Sequence, residues 1–232
     1  MMIKKISGFV FLVCFFTMTI GAVELPDKYK SFQGEAYQGW SLMVDGFSPL
    51  MASSLDKDIY YYQLTGNVNL FNKIFPTLEI GYASVDKKLP SKAEYSANSP
   101  YLRLGVDYNL LTTIDKDGKP KNSKSFCYLG GRYASTYNNY SMKNVSSNDN
   151  YWQEQQFKSI LDQQAYVGWF EFLFGVHIDI YKGLSLGWCA RVKTFLHSSA
   201  ENNTAMWYVP GYGFSDSASF EFNYTIGYTF GK

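Results

Sequence analysis

Apolar and polar residues alternate with a period of two in eight separate stretches, the pattern of β-strands with one face in an apolar medium. The first is "GWSLMVDGF" (39–47), where Trp40, Leu42 and Val44 oppose Ser41, Met43 and Asp45. "YQLTGNVNL" (62–70) alternates without a fault, with Tyr62, Leu64, Gly66, Val68 and Leu70 against Gln63, Thr65, Asn67 and Asn69. "TLEIGYA" (77–83), "YLRLGVDYNLL" (101–111) and "CYLGGRYAS" (127–135) follow, then "WFEFLFGVHIDI" (169–180), "LGWCARVKTFL" (186–196) and "FEFNYTIGYTF" (220–230). No stretch reads as an amphipathic helix of ordinary length.

The connections between these runs alternate in length. After the first, third, fifth and seventh come long segments: 48–58, 86–99, about 136–164, and 197–219. After the second and sixth come short turns, "FNKIFP" and "YKGL"; the fourth is followed by a longer basic segment. Long loops at one end and mostly short turns at the other predict an eight-stranded antiparallel up-and-down β-barrel of the transmembrane kind. Several runs reach the ~9–11 residues that a tilted strand needs to cross a bilayer.

The alternation leaves open which face is wet, because a soluble ligand-carrying barrel alternates too. Glycine and charge decide between them. Gly81, Gly105, Gly130, Gly175, Gly187 and Gly227 share the polar face. Small residues relieve crowding inside a narrow barrel, whereas on a solvent-facing strand they only weaken it. The charges on that face are of mixed sign and the opposite face has none. An ion facing hydrocarbon at the bilayer midplane costs about 2–4 kcal/mol. The expectation is therefore an apolar face against lipid and a plugged polar interior. The interior network should comprise Glu79, Arg103, Asp107, Arg132, Glu171, His177, Asp179, Arg191, Lys193 and Glu221, with Glu79 and Arg103 paired across neighbouring strands.

Composition adds two restrictions. Twenty-one basic against twenty acidic residues leave no net field for nucleic acid or an acidic substrate. Aromatic residues at 19 % of the chain suit a wall with aromatic belts. The N-terminus has Lys4 and Lys5, an apolar stretch from about Ile6 to Ile20, and then Gly21-Ala22. That is the layout of a cleavable export signal, and it predicts a signal peptide over 1–22, a periplasmic segment over 23–36 and the barrel over 37–232. The bulky Val13 before Cys14 argues against lipid attachment there. Cys127 and Cys189 fall on opposite faces, so no disulfide is expected between them.

Candidate chemistry is sparse. His177 shares a strand and a face with Glu171 and Asp179, but no serine is placed to be activated by it. His197-Ser198-Ser199, with Glu201 nearby, begins the last long loop and has no well-placed acid. "DKDG" (115–118) lacks the closing glutamate of a calcium loop. No cofactor or metal motif is present. "MWYVPGYGF" (206–214) reads equally as a binding loop for a glycan or partner, through Trp207, Tyr208 and Tyr212, or as a lid over the barrel mouth.

The stretches "FPTLEIGYA" (75–83), "SPYLRLGVDYN" (99–109), "YLGGRYA" (128–134), "IYKGLSLGWCARVK" (180–193) and "WYVPGYG" (207–213) resemble a family of small, uncharacterised outer-membrane β-barrel proteins, a domain of unknown function found in Gram-negative anaerobes. The likeness runs from about Gly39 to Phe230. It implies the barrel and an outer-membrane location, and no catalytic residues. Many such barrels end on an aromatic residue; here Gly231 and Lys232 follow Phe230. The expected role is structural or surface-interacting, in contact with the lipid bilayer and with a surface glycan or envelope protein. The rivals are a lipid-modifying barrel enzyme, a soluble lipocalin-like carrier, and a subunit of an envelope complex docked through the basic 115–124 segment.

Overall fold

A computed structural model describes residues 37–45, 58–89, 92–111, 125–147, 156–200, 206–214 and 218–231. The expected signal and periplasmic segments, Cys14, Glu201 and the basic 115–124 segment lie outside the described residues, as does nearly all of the first long connection. Eight long antiparallel strands run in chain order: β1 (Tyr37–Asp45), β2 (Ile59–Leu70), β3 (Ile74–Lys88), β4 (Glu94–Asn109), β5 (Phe126–Ser147), β6 (Gln156–Tyr181), β7 (Leu184–Ser198) and β10 (Ser219–Phe230). Between β7 and β10 lies a small hairpin of β8 (Tyr208–Val209) and β9 (Gly213–Phe214).

Each long strand pairs with its neighbour in sequence. β1 also pairs with β10, Val44 facing Ile226 and Trp40 facing Phe230, which closes the ring. β6 and β7 join through Lys182 and Gly183, both left-handed (φ 48° and 92°), as a two-residue turn matched to strand twist requires.

The predicted faces match the observed ones in all eight runs. Ser41, Gln63, Glu79, Arg103, Arg132, Glu171, Arg191 and Asn223 are buried inside. Leu42, Leu64, Ile80, Leu104, Phe172, Val192 and Ile226 lie on the outer surface, Phe172 at 63 % exposure. The interior glycines make room for larger neighbours. Gly105 faces Arg132 across the β4–β5 register, and a Cβ there would run into the Gly131 carbonyl and the Arg132 side chain. Gly105→Val is expected to lower stability by about 1–3 kcal/mol through overpacking. Gly66→Val, on the outer face with nothing within 4 Å of its added Cβ, should not lower it. Chemical unfolding of the two variants checks both.

The strands run further than the alternation predicted. The expected loop 136–164 is largely strand: β5 and β6 stay paired out to Ser147 and Gln156 through two bulges. The expected loop 86–99 is largely strand as well, with Lys88 paired to Glu94 across a tight turn. In these extensions the polarity of the two faces inverts. Inside sits an apolar cluster that includes Val85, Tyr95, Ala97, Tyr140, Ala165 and Val167. Outside are Asp86, Ser96, Asn98, Asn139, Asp162 and Gln164. The ring thus has two storeys, one ionic inside and apolar outside, the other apolar inside and polar outside. At the tip Lys88 and Glu94 pair at 3.0 Å on the surface, each shifting the other toward its charged form.

Candidate functional site

The ionic storey is organised around two carboxylates. Glu79 on β3 accepts from three arginines on three other strands: Arg103 of β4 at 3.1 Å, Arg191 of β7 at 3.1 Å, and Arg132 of β5. Glu171 on β6 takes Arg103 Nε at 2.9 Å, Arg191 at 2.8 Å and the indole N–H of Trp169 at 2.6 Å. Antiparallel register explains the convergence. Glu79 lies opposite Arg103, and Arg132 opposite Glu171, so opposite charges meet at one level of the ring.

The network extends in both directions. Arg132 also reaches Asp107 at 2.9 Å, and the Thr77 hydroxyl donates to that carboxylate at 3.1 Å. Lys193 pairs with Glu221, which accepts from the Asn223 amide at 2.7 Å; the same amide donates to Asp45 at 2.7 Å. Four cations, Arg103, Arg132, Arg191 and Lys193, therefore meet four anions, Glu79, Asp107, Glu171 and Glu221. Buried ions are tolerated only when paired and hydrogen-bonded in this way.

Two predicted members stand apart. His177 is buried at the short-turn end, stacked on Phe126 at 5.0 Å, with the Thr229 hydroxyl 3.5 Å from its Nε2. Asp179, one pleat further toward the turn, is half-buried, and its backbone N–H donates to Ser125 Oγ at 3.0 Å. His197 lies on the outer surface between Tyr133 and Tyr166. Among the described residues no serine hydroxyl bonds either histidine. Cys189 is buried inside, its sulfur 3.5 Å from Arg191, while Cys127 pairs opposite Val176. Trp169 was not anticipated as a partner of the ions, although it shares the parity of Glu171 in the sixth run.

The β8–β9 hairpin closes the mouth above the ions. The hairpin occupies the position of a lid. Arg103 and Lys193 both donate to the Gly211 carbonyl at 2.8 Å, and Lys193 reaches the Tyr212 carbonyl at 3.2 Å. Gly211 has φ 81° and presses on Tyr101, whose ring Cγ lies 2.7 Å from where a Cβ would stand. The Tyr95 hydroxyl holds the Tyr208 carbonyl at 2.6 Å. Tyr212, expected on a binding loop, is 1 % exposed and packs edge-on to Trp169 and Phe195. Burial raises its phenol pKa above the ordinary value. Trp207 and Tyr208 stay half-buried against Phe214. Gly211→Val is expected to dislodge the hairpin, which protease cleavage within 206–214 would report.

Two spaces flank the ions among the described residues. The void beneath the ions, between Met43, Phe75, His177 and Trp188, holds about 20 Å³, near the room of one water. A cleft of about 330 Å³ opens beside the hairpin, but its charged lining, Arg103, Lys193 and Glu221, is already engaged in the pairs above. The described residues contain no cluster of three or more metal-ligating side chains.

The fold and the site define a closed, all-β, up-and-down ring of eight antiparallel strands whose interior is filled by compensated charges and capped by its own hairpin. The chain belongs to the DUF6048 family, a domain of unknown function, which it matches over residues 2–230. No curated protein and no solved structure matches it.

Proposed function

We propose that this chain is an exported outer-membrane β-barrel with no open channel, which displays the polar storey and its loops at the cell surface as an interaction or envelope-stabilising element. The observation that carries the reading is the outer surface of the ionic storey. Among the described residues it has no charge from Trp40 round to Phe230, and large apolar side chains cover it, Leu104 at 53 % and Ile226 at 50 % exposure. A soluble protein rarely leaves so wide an apolar surface uncovered. Aromatic rows border it above and below, the placement of membrane-interface girdles. Tyr62, Tyr82 and Tyr137 lie on one side, and Trp40, Tyr108, Tyr181 and Phe230 on the other. On β3 the band runs from Ile74 to Tyr82, nine residues, a fitting length for a tilted crossing strand.

The ionic plug speaks for a sealed wall. A channel needs a continuous lumen, and a carrier needs an apolar cavity; among the described residues the void beneath the ions holds about 20 Å³, and the cleft of about 330 Å³ above them is lined by paired charges. The N-terminal signal over 1–22 would supply the export route. Cell fractionation with a heat-modifiability gel tests the proposal. The protein should partition with the outer membrane and migrate faster unheated than boiled. Recovery in the soluble fraction, or a mobility insensitive to heating, would overturn it.

A further inference from the structure

The projecting storey carries a second surface feature that the ion network leaves unused. On the outer faces of β4, β5 and β6 a groove of about 330 Å³ is lined by Ser96, Asn98, Asn139, Ser141, Asp162 and Gln164. Its volume falls in the range of small-molecule sites. Strand register builds its floor. Asn98 stands opposite Asn139, and Asn139 opposite Gln164, so three carboxamides form one row across three strands. Ser96 opposite Ser141 begins the next row, and Asp162 adds a carboxylate.

The concavity has a backbone cause. β6 carries an extra residue between the Tyr140–Gln163 and Met142–Ile160 pairs, and β5 one between Met142 and Val145. Each bulge contains a non-glycine residue with positive φ, Asp162 at 52° and Asn144 at 58°. Bulges bend a strand and re-aim its side chains. The Asp162 N–H donates to Ser141 Oγ at 3.0 Å, which fixes one edge of the groove. Among the described residues, no side chain hydrogen-bonds the Asn98, Asn139 or Gln164 carboxamides. Below the amide row, Tyr137 at 69 % exposure stands opposite Tyr166, their rings 5.0 Å apart.

We infer that this groove is a saccharide-binding site, taking a neutral sugar unit against the Asn98–Asn139–Gln164 row with the Tyr137–Tyr166 pair as an adjacent stacking platform. The chemistry of the lining selects the ligand class. Carboxamides and hydroxyls offer paired donors and acceptors, which match vicinal hydroxyls. The lining holds one charge, Asp162, and no cation, so it lacks what a phosphate or nucleic acid needs. Aromatic rings beside a polar row give an amphipathic surface for the C–H face of a sugar ring. The inference deepens the surface-interaction reading by moving the partner site from the buried Tyr212 to the β4–β6 face. A membrane glycolipid headgroup and a free glycan present the same sugar chemistry to this row.

The test uses purified full-length protein in detergent, with two probes: an immobilised panel of neutral hexose and N-acetylhexosamine oligosaccharides, and nanodiscs made with or without lipopolysaccharide. Wild type should bind at least one neutral oligosaccharide, or bind lipopolysaccharide nanodiscs over plain ones; the first result assigns free glycan and the second a glycolipid. Asn139→Leu with Gln164→Leu should weaken that binding at least tenfold while the heat-modifiable band is retained. Lys88→Gln, away from the groove, should leave it unchanged. The inference is overturned if wild type binds neither probe, if the double variant binds as wild type does, or if heparin competes the binding away. The assay does not depend on location in the cell, so a fractionation result against the outer membrane and a binding failure are separate outcomes.

Discussion

Replacing Glu79 by glutamine is expected to cost about 3–5 kcal/mol of stability, the usual penalty for removing one partner of a buried ion pair. The physical reason is the convergence of Arg103, Arg132 and Arg191 on this one carboxylate. Glutamine keeps the shape but removes the charge and turns half of the group into a donor facing donors. Arg103, Arg132 and Arg191 would each lose an anionic partner in a space with room for about one water. Urea unfolding in detergent or lipid vesicles measures the loss. Asp179→Asn, outside the ion pairs, removes the charge of a half-buried carboxylate with one unpartnered oxygen and should not lower stability. Adding Arg132→Met to Glu79→Gln removes one charge of each sign and should recover part of the loss, a coupling that a double-mutant cycle resolves. Equal effects of Glu79→Gln and Asp179→Asn would show that the convergence does not stabilise the fold.

A charge on the outer band should cost nearly as much, for a different reason. Leu104→Arg and Phe172→Arg each place a guanidinium mid-band, where the expected cost in a bilayer is about 2–4 kcal/mol. Asn98→Arg lies on the same face of β4 as Leu104, six residues earlier in the projecting storey, and should fall within about 0.5 kcal/mol of wild type. Unfolding from lipid vesicles gives the comparison. Similar costs at Leu104 and Asn98 would mean that the band is not in hydrocarbon.

The lower storey was legible in the sequence because two physical demands separate cleanly there. One face must be apolar and uncharged, the other must hold paired ions, and a period of two displays both at once. The Glu79–Arg103 pair followed from neighbouring strands and matched parity. The upper storey hides its strands because its demands are reversed and weaker. Stretches such as "EYSANSP" and "STYNNYS" mix Ser, Asn and Tyr on both faces, with Ala97, Asn138 and Tyr140 inside and Asn98, Tyr137 and Asn139 outside, a composition that reads as loop. The hairpin at 206–214 was equally opaque. What fixes it is the pull of Arg103 and Lys193 on the Gly211 carbonyl, a contact between residues far apart in the chain. His177 and Asp179 have the parity of the interior, but parity says nothing of height, and the ions gather one level above them.

The level at which the two faces exchange character is the same on four adjoining strands. Ser84 pairs with Asn98, Asn98 with Asn139, and Asn139 with Gln164. In a bilayer that row acts as a waterline. Sinking by one pleat would drag three carboxamides into oil, and rising by one would lift Tyr82, Tyr137 and Tyr166 out of the interface, so a molecule seated in a bilayer would keep a single depth, with the groove just clear of the surface.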